Sequence, residues 1–523
     1  MHYRLSADPD APPHYIAVEA RLTNVASAEV QLQLPAWRPG RYELQPFAKF
    51  IQRFSVMDEA GRPLPVRKMG KDRWRVETNG ATELTARYNY YALLPTPNQL
   101  NAGSSFLNDT LLYVNPVNLC VYAEGRLAEP CTLELGIPSI WTVACGLERI
   151  DAPGTVTLRA TDYYQLVDSP LVAAPALQHV QYDVGNVPFH VWVQGGRRTD
   201  GNPTFDADRM VRDFRRFTEQ QVTLYGEFPE RDYHFLVIVL PVAHYHGVEH
   251  RNSTVLVLGP NDEGEGLYQD LLGVASHELF HAWNVIRIRP AELLPYDFTR
   301  ETYFETCFVA EGVTTYYGDL MLRQSGVFDD PAYLKEVQVL LKRHFEQNGR
   351  AAQSLVESSW DLWLDGYEKG VPDRKVSVYN KGAIVALILD LHLRRLTGHT
   401  RSLDDVMRLM WERYGKPFMG YTLADYRAVT EAVAGEPLDW YYHTCIFGNE
   451  PLETLLNTYL AWVGLQMVYE EPAGDQPGGI RLLETNDAAG RAQRAPWLGG
   501  TSGPERSGDK IPPKSVGKPV VAK

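Results

Sequence analysis

The chain contains few cysteines for its length. Its 523 residues include five, at irregular spacing and without a CxxC pair, namely Cys120, Cys131, Cys145, Cys307 and Cys445. An odd and scattered set of this kind disfavours a disulfide framework. We therefore expect free thiols in a reducing compartment.

No targeting segment and no long apolar run is evident in the sequence. The N-terminal residues, MHYRLSADPDAPPHY, have neither the basic region nor the apolar region of a signal peptide. The longest conspicuous apolar run is AIVALIL, residues 383–389, which is far below the roughly 20 residues that cross a bilayer. These features predict a cytoplasmic protein that is not inserted in a membrane.

There is no excess of basic residues. Lysine and arginine together number 51, aspartate and glutamate number 65, and the net charge is −14. Because nucleic acids and anionic lipids attract basic surfaces, we expect neither of them to be the main partner.

The N-terminal third of the chain has the pattern of β-strands. A chain of this length exceeds one ordinary core, so several domains are expected. Residues 1–180 alternate apolar and polar positions in stretches such as HYIAVEARLTNV and RWRVET, which turn sequences such as TNGA separate. This pattern predicts antiparallel strands in a sandwich-like domain.

Residues 181–455 change from strand patterns to helix patterns. Helical periodicity runs from Asp206 to Tyr225 and ends at Gly226, and two apolar strands follow, YHFLVIVLP and STVLVLGP. Beyond Gly264 nearly all patterns are helical, and two helices open with the capping boxes SLDD and TLAD. A small sheet followed by a helical block is the order of a thermolysin-like catalytic unit. The predicted fold class is therefore α+β and multidomain.

The remaining residues, 456–523, end in a polar segment. From about Gly478 the sequence is rich in glycine, proline, serine and charge. Such a composition buries too little apolar surface to fix the backbone, so we expect disorder or weak order there.

The segment VASHELFHAWN carries two histidines, His277 and His281, with Glu278 directly after the first. Positions i and i+4 lie on one face of a helix, so both imidazoles can bind one metal ion. Glu278 lies one position round the helix and can take a proton from an attacking water without being a ligand. The HExxH pattern arises by chance in roughly one such sequence in forty. A surface helix with two solvated histidines is therefore the alternative.

A third ligand is needed, because a catalytic zinc site has three protein ligands and one open position. Beyond His281, the helical pattern FVAEGVTTYYGDL places Glu311 among apolar residues. A carboxylate in such surroundings is costly unless it pairs with a cation. We therefore predict that His277, His281 and Glu311 bind one Zn²⁺ per chain, with an exposed helix glutamate as the alternative for Glu311.

Six segments carry a resemblance to a known family. In chain order they are PAWRPGRYEL, HGVEHRNST, HELFHAWNVIRIRP, AEGVTTYYGDL, YNKGAIVALILDLHLR and GEPLDWYYHTCIFGNEPL. Together they resemble the glycyl aminopeptidase family of gluzincin metallopeptidases, relatives of aminopeptidase N and thermolysin. The resemblance implies an N-terminal β domain, a thermolysin-like catalytic domain and a PDZ-like C-terminal module.

The resemblance also implies roles for three further residues. Glu249, in HGVEH, matches the glutamate that binds the free α-ammonium of the substrate. Gly247 matches a glycine whose bare backbone lets the substrate approach as an added strand. Tyr379, in YNKG, matches a tyrosine that donates a hydrogen bond to the developing oxyanion. Without the resemblance, Glu249 would be interpreted as a surface charge and Tyr379 as a core-edge tyrosine.

The sequence departs from the family at three places. Thr315 stands where relatives carry an aspartate that supports a histidine ligand, so that support comes from elsewhere or the zinc affinity falls by about tenfold. His246 replaces a glycine and is expected to narrow the pocket for the first substrate residue. The C-terminal segment begins like the PDZ-like module at LAWVGLQMVYEEP but lacks its later features, so we predict an incomplete PDZ-like segment.

These features predict a zinc-dependent aminopeptidase that hydrolyses N-terminal bonds of peptides with a free N-terminus. The resemblance implies a preference for small first residues such as Gly or Ala. One alternative is a zinc endopeptidase with the same site, and another is a non-catalytic peptide-binding protein. The latter is disfavoured because Glu278 and all the predicted ligand positions are intact.

Overall fold

Strands come first along the chain and most helices follow, as the sequence predicts for an α+β protein. The structure, a computed structural model, describes residues 1–7, 14–92, 105–150, 155–195, 198, 201–260, 264–367, 370–472 and 478–499. The two largest clusters of buried apolar side chains lie in the N-terminal β region and in the helical block with its adjoining sheet.

Within the described residues, three sheets form the N-terminal region. The largest has the order β13-β14-β11-β1-β2-β7-β4, with β1 His2–Ala7, β2 Tyr15–Leu22, β4 Ile51–Asp58, β7 Leu84–Tyr91, β11 Cys131–Gly136, β13 Glu148–Arg149 and β14 Val156–Ala160. The second has the order β10-β3-β6-β5, with β3 Glu29–Gln33, β5 Val66–Lys68, β6 Arg73–Glu77 and β10 Tyr122–Ala123. The third has the order β12-β15-β9-β8, with β8 Phe106–Leu107, β9 Leu112–Val114, β12 Thr142–Cys145 and β15 Leu171–Ala174. Burial alternates along β2, as its apolar and polar pattern requires.

One strand pairing corrects the prediction of an antiparallel N-terminal domain. β1 pairs antiparallel with β2 but parallel with β11, where His2 lies opposite Thr132. Side chains alternate in the same way in parallel and antiparallel strands. Direction therefore has no local signal in the sequence, and the chain has to cross over to bring β11 beside β1.

A mixed sheet with the order β16-β17-β18-β20-β19 follows. Its strands are β16 Gln178–Val184, β17 Val187–Gln194, β18 Tyr233–Val239, β19 His244–Glu249 and β20 Ser253–Gly259. Every residue of β18 is buried, because it lies between two parallel neighbours in a sheet covered on both faces. β19 is an edge strand that pairs antiparallel with β20. The predicted division of the chain at residue 180 falls inside β16.

Helices make up most of the chain after this sheet. The helices are α1 Tyr163–Val167, α2 Ala207–Tyr225, α3 Gly264–Phe280, α4 Thr314–Gln324, α5 Asp330–Phe345, α6 Leu355–Trp360, α7 Leu362–Asp365, α8 Asn380–Thr397, α9 Leu403–Met410, α10 Leu423–Ala434, α11 Asp439–Tyr441, α12 Glu453–Trp462 and α13 Ala488–Trp497. The side chain of Asp206 caps α2, which ends at Gly226 with a left-handed φ of 84°. Both predicted capping boxes form, at Ser402 and Thr422. These helix limits confirm the predictions from sequence.

The thiols match the expectation from composition. The five cysteines are buried and none forms a disulfide, which confirms the prediction of free thiols. Within the described ranges, no helix combines the length and the apolar content that crossing a bilayer requires.

Residues 478–499 correct the prediction of disorder from Gly478 onward. They form α13 and the strand β22 Gly479–Glu484, which pairs with β21 Leu465–Glu470. The indole of Trp497 is fully buried, and its Nε1–H donates to the hydroxyl of Tyr316 at 2.9 Å. Composition does not reveal this docking, because the few apolar side chains of a polar segment find their partners far away in the sequence. The rest of the predicted disordered tail, 500–523, lies outside the described residues.

Replacing Trp497 by Ala is expected to destabilise the helical block by about 3–5 kcal/mol, the usual cost of truncating a large buried aromatic side chain. Urea unfolding followed by circular dichroism measures this loss. Tyr469→Ala is the control, because Tyr469 lies on β21 but is 61% exposed, and its effect should stay within about 0.5 kcal/mol. Equal midpoints for the two variants would contradict the docking of α13.

Candidate active site

The HExxH segment lies at the end of α3. His277 is in the last turn of this helix, and His281 is the first residue beyond it, in a turn. The two Nε2 atoms are 3.1 Å apart. Both imidazoles therefore point to one place, as the spacing predicts.

Glu311 reaches the same place from a π-helix. Residues Phe308–Val313 form this π-helix, and α4 continues directly from it. The Oε2 atom of Glu311 lies 3.3 Å from Nε2 of His281 and 3.8 Å from Nε2 of His277. The side chain is 3% exposed. Such π turns occur frequently at functional sites, and the helical pattern in the sequence does not reveal this one.

These three donor atoms fit a zinc ion. Tetrahedral bonds of roughly 2.0–2.1 Å to zinc place neighbouring ligand atoms about 3.3 Å apart. The observed separations of 3.1, 3.3 and 3.8 Å bracket that value. Two imidazoles and one carboxylate are also the donor set of catalytic zinc sites that keep one position open. The structure thus brings the predicted ligands together.

His281 is supported by the chain just beyond it. Its Nδ1–H donates to the carbonyl oxygen of Asn284 at 2.8 Å, which leaves Nε2 free for a metal. The Asn284 side chain donates to the carbonyl of Val309 at 2.9 Å and to the hydroxyl of Thr314 at 3.0 Å. These bonds tie the motif to the π-helix. The support that Thr315 does not supply thus comes, for His281, from a backbone carbonyl.

Two further carboxylates, those of Glu249 and Glu278, lie beside this group. Their ligand atoms and that of His281 all lie within 4.8 Å of one another. Burial raises the pKa of Glu278 well above its ordinary value and raises the pKa of Glu249 to about 7. Burial lowers the pKa of His281, but Glu311 and the neighbouring carboxylates outweigh it and raise the pKa to about 10. Burial thus disfavours the charged carboxylates of Glu249 and Glu278, and a bound cation would stabilise them.

A cleft of about 1280 Å³ opens onto this cluster. One wall is the edge strand β19, where Gly247 lies against Glu278 so closely that a Cβ placed on the glycine would overlap Oε1. An edge strand has unpaired backbone groups on one side. His246 and Tyr379 line the same cleft, and Tyr379 directly precedes α8. The predicted substrate-binding and catalytic residues therefore share one cleft.

Two glycines determine how closely α8, which begins directly after Tyr379, approaches the segment that carries Glu311. Gly382, in the first turn of α8, lies against Gly312 of the π-helix. A Cβ placed on Gly312 would be 2.5 Å from the Cα of Gly382, and the reverse distance would be 2.8 Å. A side chain at either position would push the two segments apart. The two glycines are visible in the sequence, in AEGV and YNKG. Nothing in the sequence indicates that they contact each other.

Two cleft residues have no role in the sequence-based hypothesis. Arg38 and Gly40 both come from PAWRPGRYEL in the N-terminal region, and both line the cleft. Arg38 is 1% exposed, and Gly40 lies against the carboxylate of Glu249. The segment is visible in the sequence, but the contact that brings it to the site is long-range.

Two family models match the sequence. The Peptidase M61 N-terminal domain matches residues 2–175, and the M61 glycyl aminopeptidase matches residues 270–385. Together these segments span more than half of the chain. Among curated proteins, no match is found.

Solved structures share the fold. The crystal structure of an aminopeptidase N family protein from Idiomarina loihiensis is 28% identical with a TM-score of 0.82, over 94% of this chain and 87% of that chain. An M1 zinc metallopeptidase from Deinococcus radiodurans is 13% identical with a TM-score of 0.53, over 86% of this chain and 94% of that chain. A variant of that enzyme bound to a Tyr-Ser-Ala substrate is 14% identical, with the same TM-score of 0.53 and the same coverage of 86% and 94%. The last two show likeness of fold alone. With its two matching segments, the chain belongs to the M61 glycyl aminopeptidase family and is a zinc metallopeptidase of the aminopeptidase type.

Proposed function

We propose that the protein removes N-terminal residues from peptides with one Zn²⁺ held by His277, His281 and Glu311. The observation that carries this proposal is the convergence of their three donor atoms with two further carboxylates in one cleft. When bound, the zinc ion supplies Lewis acidity, which polarises a scissile carbonyl and lowers the pKa of a water molecule. The remaining tasks fall to side chains of the cleft.

Glu278 is suited to act as the general base. Glu278 is buried, with only 5% of its surface exposed. Even so, its Oε2 atom has no hydrogen-bond partner among the described residues. A buried oxygen without a partner is costly, and an attacking water supplies the missing hydrogen bond. We assign to Glu278 the transfer of a proton from that water to the leaving amine.

Glu249 is suited to bind the substrate's α-ammonium. It is 5% exposed and lines the cleft beside the proposed ligands. A buried carboxylate is stabilised by a cation, and the α-ammonium offers charge-assisted hydrogen bonds. An N-blocked peptide lacks this charge and would leave Glu249 buried without a partner. This difference supports exopeptidase action over the endopeptidase alternative.

Gly247 and Tyr379 complete the proposed reacting centre. The open edge of β19 can pair with an extended substrate backbone, and the missing Cβ of Gly247 lets that edge lie directly against Glu278. The hydroxyl of Tyr379 is proposed to donate to the developing oxyanion, a contribution typically worth about 2.7–4 kcal/mol. The Gly312–Gly382 contact supports this role because it fixes the start of α8 against the segment of Glu311.

The domain plan of 1–180, 181–455 and 456–523 is part of the proposal. A mixed sheet with an antiparallel edge strand followed by helices supports a thermolysin-like catalytic unit in the middle segment. The described part of 456–523 contains the hairpin of β21 and β22 together with α13, which supports an incomplete PDZ-like segment. Five free thiols support a reducing, cytoplasmic location.

Glu311→Gln should separate metal binding from proton transfer when it is compared with Glu278→Gln. Loss of a ligand charge should weaken zinc binding by more than the roughly 10–100-fold typical of an outer-shell partner. Glu278→Gln should keep one zinc per chain and lose about 10²–10⁴-fold in kcat. Competition with a chelator and metal analysis measure the first effect, and turnover of Ala-anilide measures the second. Unchanged zinc affinity in Glu311→Gln, or unchanged turnover in Glu278→Gln, contradicts the assignment.

Glu249→Gln should reduce the discrimination between free and N-acetylated Ala-anilide by about tenfold or more, because a hydrogen bond to a charged group contributes about 1.5–3 kcal/mol. The measurement is kcat/KM for both substrates. Glu336→Gln is the matched control, since Glu336 lines the same cleft outside the proposed centre. An unmodified enzyme that cleaves both substrates equally well would favour the endopeptidase alternative.

Small first residues are proposed to be preferred because His246 occupies cleft space that family relatives leave to a glycine. Ala-anilide should exceed Leu-anilide in kcat/KM by about tenfold or more, the discrimination typical of a few methylenes in a restricted pocket. His246→Gly should shrink this ratio without loss of zinc. Equal rates for Gly-, Ala- and Leu-anilides speak against the preference.

A further inference from the structure

A loop of the N-terminal region packs against the helical block that carries the proposed site. We refer to residues 36–45 as the docking loop. The indole Nε1–H of Trp37 donates to the carbonyl of Asp297 at 2.7 Å, and the backbone N–H of Ala36 donates to the carbonyl of Phe298 at 2.7 Å. Trp37 and Tyr42 are buried in the same apolar cluster as the helices that surround the proposed site. The loop is thus held from the catalytic side.

Further contacts fix the middle of the docking loop. The guanidinium of Arg41 stacks on the ring of Tyr367 at 4.2 Å and donates to the carboxylate of Glu43 at 2.8 Å. The backbone N–H of Tyr42 donates to the Tyr367 hydroxyl at 3.0 Å. These contacts lie directly after Gly40, so its backbone has little freedom to move.

The backbone of Gly40 lies in close contact with the carboxylate of Glu249. A Cβ placed on Gly40 would lie 2.6 Å from Oε2, 3.0 Å from Cδ and 3.1 Å from Oε1 of the carboxylate. Its φ of +78° is also in the left-handed region that favours glycine. Space and backbone conformation therefore both disfavour a side chain here, and a Cβ would require the carboxylate to move. This close contact also leaves no passage for a peptide chain between Gly40 and Glu249.

We propose that Gly40 is a positioning residue for the substrate's α-ammonium. This inference rests on the proposed role of Glu249 as the group that binds that ammonium. The backbone of Gly40 holds the Glu249 carboxylate in one place and closes the cleft behind it. The N-terminal β region thus completes the subsite that receives the first residue of the substrate. A side chain at position 40 would displace the carboxylate and weaken amine binding more than it slows the chemical step.

Gly40→Ala should raise KM for Ala-anilide by about tenfold while kcat changes by less than about threefold, because the ammonium contact is lost and the proton-transfer group is untouched. Discrimination against N-acetyl-Ala-anilide should fall in parallel. Gly61→Ala is the matched control: its φ is +75°, and among the described residues a Cβ there meets nothing within 4 Å. It carries the same backbone strain without the contact, so its KM should equal that of the unmodified enzyme.

A double-substitution cycle separates the contact from general damage. Glu249→Asp shortens the side chain by one methylene and makes room for a Cβ at position 40. In that background, Gly40→Ala should change KM by less than about twofold. If Gly40→Ala alone accumulates poorly, the Gly40→Ala/Glu249→Asp protein should recover in yield and zinc content. If Gly40→Ala raises KM about tenfold in the Glu249→Asp background as well, or if the double variant accumulates as poorly as Gly40→Ala, the inference is overturned.

Comparison with Glu249→Gln distinguishes the two levels of the proposal. If Glu249→Gln keeps full discrimination between free and blocked substrates, Glu249 does not bind the amine and the proposed function fails at that point. If Glu249→Gln loses discrimination but Gly40→Ala behaves like Gly61→Ala, the role of Glu249 stands and the inference about Gly40 is wrong.

Discussion

The architecture around the cleft depends on one electrostatic constraint. Three buried carboxylates lie beside the buried imidazole of His281 and the half-buried imidazole of His277, and carboxylates without a cation are costly in such a place. A divalent ion removes most of this cost. The raised pKa values reflect this cost in two ways: burial raises the pKa of Glu278, and Glu311 with its neighbouring carboxylates raises the pKa of His281 against the effect of burial.

The fold satisfies this constraint through close backbone contacts. The π-helix aims Glu311 at the histidines, and the Asn284 side chain bonds that π-helix to the motif. Glycines appear wherever two segments must meet: the Gly312–Gly382 pair lies under Glu311, Gly247 lies against Glu278, and Gly40 lies against Glu249. Close packing of this kind fixes the separation of these segments, and positioning of a reacting group requires such fixed distances.

Local patterns predict the parts of this molecule that local physics determines. The i, i+4 spacing of His277 and His281, the cap at Gly226 and the boxes at Ser402 and Thr422 all depend on neighbours within one helical turn, and the structure has them as predicted. The apolar context of Glu311 indicated its burial. The parallel pairing of β1 with β11, the docking of Trp497 and the contact of Gly40 with Glu249 are different. Each depends on residues far apart in the chain, so no window of sequence contains its cause.

The central claim is that one zinc ion lies between His277, His281 and Glu311. Diffraction from crystals of the purified protein on both sides of the zinc absorption edge tests it most directly. The account predicts a single anomalous peak per chain above the edge, roughly 2.0–2.2 Å from Nε2 of both histidines and from a carboxylate oxygen of Glu311. The peak should vanish below the edge. A zinc-loaded crystal with no peak among these three side chains, or with the peak on other residues, would contradict the account.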